Sequence, residues 1–229
     1  ASSLHRYPDG SAVLLREAIA QVEKLPVDQI VCSAGSDELI GLLIRAYANP
    51  GDDIVMSAHG FLMYKIYAQA LGVHVVAAPE NHLRTDVDAM IAAITPRTKI
   101  VFIANPNNPT GSYISKSEIE RLHASLPPHV ILCIDDAYSE YVTQTDYSDG
   151  RELVAASGNA VMLRTFSKIY GLSALRLGWA YAPPAICDVL NRIRGPFNVS
   201  TPAIAAGIAA IRDSAFTEAA RAIARQKLD

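Results

Sequence analysis

The sequence predicts an α/β protein of three layers, with helices on both faces of a seven-stranded, mostly parallel sheet. Two observations carry this. Short β-branched runs alternate along the chain with amphipathic stretches of helical period. The β-branched runs are nearly continuous in apolar character, the pattern of strands covered on both faces. Half of the 229 residues are hydrophobic and 19% are charged, enough to fill one large core.

The strands are expected at Ile30–Ser33, Asp53–Ser57, Val73–Ala78, Lys99–Asn105, Val130–Asp135, Ala160–Thr165 and Leu177–Ala182. Helices are expected at Ser11–Lys24, Asp37–Ala48, Leu62–Leu71, Asp86–Ile94, Ser115–Ser125 and Pro184–Arg194. Ser115 and Glu118 form a capping box ahead of Ile119 and Leu122, which fixes where that helix begins. Strand–helix alternation of this kind builds right-handed βαβ units. After Ala182 the chain reads as mostly helical, ending in an Ala/Arg-rich amphipathic segment that could lead into a further domain.

Composition excludes several classes. A net charge of −3 without a Lys/Arg cluster argues against nucleic acid as a partner. The apolar run from Ala203 to Ile211 falls well short of the ~20 residues that a membrane span needs. Cys32, Cys133 and Cys187 are odd in number and widely spaced, which suits a reducing compartment, the cytoplasm, better than a disulfide framework or a zinc ribbon. The histidines show no metal spacing, and no metal is expected. No GxGxxG, Gly-Lys phosphate loop or GxSxG elbow occurs.

Four segments carry chemistry. Asn105–Gly111 (NPNNPTG) follows an apolar strand and precedes the capped helix, so Asn side chains project at the carboxyl end of a strand, where open α/β sheets place ligands. A plain turn would use the same residues. Asp135-Asp136-Ala137-Tyr138 puts two acids at the end of an apolar strand, a costly position unless they are paired or solvated. One Asp would suffice as a helix cap; a second, with a tyrosine beyond, favours a site. Arg164–Leu172 with Arg176 groups hydroxyls, a lysine and an arginine after another strand, chemistry suited to a phosphate dianion and an amine nucleophile. Ser33–Glu38 is a strand-to-helix turn whose free N–H groups attract anions, although Asp37 and Glu38 would repel one unless they point away.

In this order and spacing the four segments resemble the fold-type I pyridoxal 5'-phosphate aminotransferases of class I/II. RYPDG at Arg6–Gly10, GSDEL at Gly35–Leu39, DDAYSEY from Asp135 and RGPFNVS at Arg194–Ser200 resemble the histidinol-phosphate aminotransferase branch. The resemblance implies that residues 1–229 are the cofactor-binding large domain, cut at both ends, without the small C-terminal domain, its arginine for the substrate carboxylate, or the N-terminal arm. It implies that Lys168 joins the cofactor aldehyde, Asp135 pairs with the protonated pyridine nitrogen, and Asn108 and Tyr138 bond the phenolic oxygen. Thr165, Ser167, Arg176 and the backbone of Ser36 and Asp37 would hold the phosphate, Phe61 would stack on the ring, and Tyr7 would reach the neighbouring subunit's phosphate in a homodimer. The implied substrates are small molecules, L-histidinol phosphate as amino donor and 2-oxoglutarate as acceptor. Aromatic or branched-chain aminotransferases, a threonine-phosphate decarboxylase, and a non-catalytic cofactor-binding or dimerisation fragment remain the alternatives.

Overall fold

The structure is a computed structural model, and it describes residues 5–228. Its sheet strands are β1 (Ile30–Ser33), β2 (Asp53–Ser57), β3 (His74–Ala78), β6 (Thr98–Ala104), β7 (Ile131–Asp135), β8 (Ala160–Thr165) and β9 (Gly178–Tyr181). They form one seven-stranded sheet in the order β1-β9-β8-β7-β6-β2-β3. Neighbours from β8 to β3 pair in parallel, while β9 runs antiparallel to both β1 and β8. The seven expected strands are therefore present, each within a few residues of its expected limits.

Alternation along the strands assigns the layers. Val31, Ile54, Met56, Ile100, Phe102, Cys133, Val161, Leu163 and Ala180 point to one face. There they meet α2 (Ser36–Tyr47), α3 (Leu62–Ala70) and α7 (Pro184–Ile193). The intervening residues point to the other face. Ile30, Met162 and Trp179 pack there with α1 (Val13–Glu23) and α8 (Thr201–Arg212). Val55, Val101 and Leu132 pack with α4 (Val87–Ala92) and α5 (Lys116–Ala124). Both faces are thus buried, which is why the strands read as unbroken apolar runs. The edge strand β3 departs from this and is partly exposed.

The capping box is present: Ser115 accepts from the Glu118 N–H, and the Glu118 side chain accepts from the Ser115 N–H at 2.8 Å. Arg84 adds a bidentate ion pair to the same carboxylate. It reaches there from a short hairpin, β4 (Glu80–Asn81) with β5 (Arg84–Thr85), which the sequence pattern does not announce. The helix α6 (Arg151–Ala156) is also unannounced. The last segment is helical, as α8 and α9 (Ser214–Leu228). No helix among the described residues is long and apolar enough to cross a membrane.

Candidate active site

The carboxyl ends of β1, β2, β6, β7 and β8 converge on a cavity of about 200 Å³. Ser36, Asp37, Phe61, Asn108, Asp135, Tyr138, Thr165, Ser167, Lys168 and Arg176 all line it, so ten of the expected site residues meet there. They come from five strand ends spread over 140 residues of chain, and the sheet order brings them together. Tyr7 is not among them. It is 81% exposed and stacks on Phe197 at 4.6 Å, away from the cavity of its own chain.

One end of the cavity is built for an anion. Helix α2 starts at Ser36 after Gly35, whose φ of 86° needs glycine, and no side chain caps the helix. The Glu38 N–H donates to the Gly35 carbonyl at 3.2 Å, which leaves the Ser36 and Asp37 amides and the positive dipole end for the cavity. A Cβ on Gly35 would lie 2.5 Å from Arg176 Nη2, so the guanidinium occupies the space that the missing side chain leaves. Arg176 is held by the Ser173 carbonyl at 2.9 Å and donates to Ser167 Oγ at 3.3 Å. Thr165 Oγ1 accepts from the Ser167 N–H at 3.1 Å, tightening the turn ahead of Lys168. Gly178 lets α2 approach β9 closely, since a Cβ there would meet the backbone of Gly35 and Ser36.

The two acids after Gly35 separate. Glu38 turns away, accepting from the Ala34 N–H at 2.6 Å and from Asn198 Nδ2 at 2.8 Å. Asp37 lines the cavity, and its charge is one of the influences that raise the pKa of Asp135.

The other end holds a buried acid. Asp135 Oδ2 accepts from the Tyr64 hydroxyl at 2.7 Å, while Oδ1 is buried with no partner. Burial pushes its carboxyl up to about 6, against the lowering effect of the Tyr64 hydrogen bond, the Ala137 amide and the Lys168 charge. An unpartnered buried carboxylate oxygen that faces a cavity is complementary to a cationic N–H. Lys168 Nζ sits 5.1 Å from the centre of the Tyr138 ring. An anion cradle, an amine and a buried acid in that order suit a flat cationic heterocycle with a phosphate arm and an aldehyde, so the residues fit pyridoxal 5'-phosphate.

Other motif residues serve the frame. Asn105 clamps Ile114 through two hydrogen bonds, at 3.1 and 2.9 Å. Asn107 donates to Thr110 Oγ1 at 2.9 Å. Asp136 points away from the cavity, and the Tyr147 hydroxyl lies 2.8 Å from both Asp136 Oδ1 and the Asn105 carbonyl, joining two site loops. Burial holds the Asp136 carboxyl well above the usual range. Arg164, almost fully buried, pairs with Glu140 at 2.6 Å and Asp149 at 3.5 Å. Arg151 pairs with Asp149 at 2.6 Å and Glu23 at 2.9 Å, so these charges tie the turn after Tyr138 to the end of β8. Sequence reasoning missed Tyr64. Its one signal is a hydroxyl on an otherwise apolar helix face, one turn after Phe61.

The fold and site define an α/β protein that brings an amine, a buried carboxylate and an anion cradle to one cavity. The chain belongs to the family described as aminotransferase class I and II, whose sequence model matches residues 1–229. It is 56% identical over 223 residues to a histidinol-phosphate aminotransferase of Rhodospirillum centenum, covering 97% of this chain and 62% of that protein. It is 57% identical over 218 residues to the protein of the same name from Paramagnetospirillum magneticum, covering 95% of this chain and 60% of the relative. Among solved structures, histidinol-phosphate aminotransferase from Sinorhizobium meliloti in complex with pyridoxal-5'-phosphate superposes with a TM-score of 0.94 at 28% identity, covering all of this chain and 63% of that one. An aspartate aminotransferase of Thermus thermophilus shares the fold, with a TM-score of 0.86 at 22% identity. The chain thus spans about three fifths of the length of these relatives.

Proposed function

We propose that the protein carrying this chain is a pyridoxal 5'-phosphate aminotransferase acting on L-histidinol phosphate and 2-oxoglutarate, yielding imidazole acetol phosphate and L-glutamate in histidine biosynthesis. The observation that carries this reading is the 56–57% identity to proteins named histidinol-phosphate aminotransferase, with the cofactor-suited cavity intact. The residue roles are part of the proposal. When bound, the cofactor supplies an aldehyde for the amino group and a protonated ring that accepts the electron pair released at the substrate α-carbon.

The chain's residues do the rest. Asp135 holds the proton on the ring nitrogen through its free Oδ1. Asn108 and Tyr138 donate to the phenolic oxygen. Thr165, Ser167 and Arg176, with the amides of Ser36 and Asp37, anchor the phosphate, and Phe61 covers the ring face, so that the bond to be broken is held in one orientation. The Lys168 amine would condense with the aldehyde, releasing water, and, once displaced by the substrate amine, would move the proton at the α-carbon. A wider cleft shares Asn108, Tyr138 and Lys168 with this cavity and gives a path for the amino donor and the 2-oxo acid.

Two exposed stacked aromatics, Tyr7 and Phe197, support a homodimer in which Tyr7 reaches the other subunit's phosphate. Three buried, unpaired cysteines support a reducing compartment, the cytoplasm. The test adds L-histidinol phosphate to the cofactor-loaded full-length protein. The absorbance of the lysine-bound cofactor should give way to that of its amine form. Failure to convert overturns the substrate, and release of carbon dioxide without conversion marks a decarboxylase. Lys168→Ala should lose the lysine-bound absorbance while retaining cofactor through its phosphate; an unaltered spectrum refutes the role of Lys168.

A further inference from the structure

We infer that Tyr64 is a positioning residue whose hydroxyl locks Asp135, committing one carboxylate oxygen to the protein and leaving the other for a cationic ligand. This deepens the cofactor reading above and rests on the assignment of Asp135 to the ring nitrogen.

Three observations carry it. The Tyr64 hydroxyl lies 2.7 Å from Asp135 Oδ2 and is the side-chain donor to that acid, while Oδ1 has no partner. Tyr64 is fully buried, and its ring stacks on Phe102 at 4.6 Å and 12°, with Phe61 edge-on at 5.7 Å, so the hydroxyl cannot swing away. Helix α3, which carries Tyr64, starts directly after Phe61, so the residue on the cavity wall and the residue behind the acid are set by one helical turn.

The chemistry follows from what a phenol can do. A buried tyrosine beside a carboxylate keeps its proton, because its ionisation would place two negative charges together in a medium of low dielectric. Burial and Asp135 hold the Tyr64 hydroxyl well above its ordinary range. Tyr64 is therefore a donor at every working pH and accepts no proton in exchange. Fixing Oδ2 also fixes the plane of the carboxylate, and with it the direction in which Oδ1 points. The remaining groups that act on Asp135 or lie beside it are the Ala137 amide and Lys168, which lower its pKa, Asp37, which raises it, and the side chains of the neighbours Asp136 and Cys133. None of these side chains donates a hydrogen bond to Oδ2, so removing the phenol hydroxyl deletes the side-chain donor to that oxygen.

The test is Tyr64→Phe in the full-length protein, a change that keeps the ring stack and deletes one oxygen. In the cofactor-free form, infrared titration follows the protonated carboxyl band that Asp135→Asn abolishes. A hydrogen bond to a charged acceptor contributes enough that its loss should move the Asp135 titration up by about one to two pH units. In the cofactor-loaded form, the titration that reports the ring proton should shift, and the Kd for the cofactor at pH 8 should rise by roughly 10-fold. Tyr64→Leu separates fit from donation, for it removes ring and hydroxyl together and should add a loss of stability to the same titration shift. An Asp135 titration in Tyr64→Phe equal to that of the parent protein overturns the inference. A shifted titration in a protein that binds no cofactor would uphold the lock and overturn the cofactor reading alone.

Discussion

Gly178→Ala tests the close approach on which the anion cradle depends. A Cβ at this position would lie 2.7 Å from the Gly35 carbonyl carbon and 3.1 Å from the Arg164 oxygen, and would press on the Ser36 nitrogen as well. All three are backbone atoms, and ordinary contact begins near 3.4 Å, so more than about 0.7 Å must be found by moving α2 or β9, the Ser36 nitrogen being nearer still. Neither moves freely. Gly178 pairs with Ser33 on one side and with Thr165 on the other. Overpacking of this kind costs about 1 to 3 kcal/mol. The amides displaced are those of the cradle, so the Kd for the cofactor should rise roughly 10- to 100-fold, the loss of one charge-assisted hydrogen bond or two. Urea unfolding of the cofactor-free protein gives the first number, and titration of the lysine-bound absorbance gives the second. Gly158→Ala is the control, because nothing lies within 4 Å of its added methyl group. If Gly178→Ala unfolds at the parent's midpoint and binds cofactor as tightly, the packing argument is wrong.

The buried acid opposes folding in the absence of a ligand. The Asp135 carboxyl is raised from 3.8 to about 6, so between those pH values the folded protein keeps a proton that the unfolded chain has lost. Stability falls as pH rises through that window, and the cost is complete above it. Cofactor-free Asp135→Asn should therefore be more stable than the parent at pH 8 by about 2 to 3 kcal/mol, with the gap closing below pH 4, while transamination slows strongly; equal urea midpoints at pH 8 would contradict this. Arg164→Met should cost about 3 to 5 kcal/mol, because it strands the largely buried Glu140 carboxylate without its ion-pair partner, while Asp149 keeps Arg151. Restoration of stability by the added change Glu140→Leu would support that account, and an Arg164→Met variant with the parent's unfolding midpoint would refute it.

Much of the fold is legible because both faces of the sheet are covered, and continuous apolar runs such as Ile131–Ile134 leave little choice of structure. The cavity residues are legible because each sits at a strand end beside turn chemistry. The hairpin β4–β5 is not legible. Its strands are two residues long, and its turn uses His82 and Leu83 at positive φ rather than glycine or asparagine. The direction of β9 is also hidden, since Trp179 and Ala180 are buried in either orientation. Tyr64 escapes because periodicity assigns a tyrosine on an apolar helix face to the core, and only the fold reveals that its hydroxyl meets an acid 71 residues away. Asp136 invites the opposite error, since its place beside Asp135 suggests a shared role that its hydrogen bond to Tyr147 does not support.

The insertion of β9 between β1 and β8 has a bearing on biosynthesis. Ile30 faces Tyr181 and Ser33 faces Gly178, so a strand made early waits for a neighbour about 150 residues downstream. During translation β1 has no lateral partner in the sheet until that stretch has left the ribosome, and the Ser36 end of α2 lacks the Gly178 backbone against which it later packs. The anion cradle is therefore complete only once the last sheet strand is in place, and cofactor uptake would report that the domain has closed.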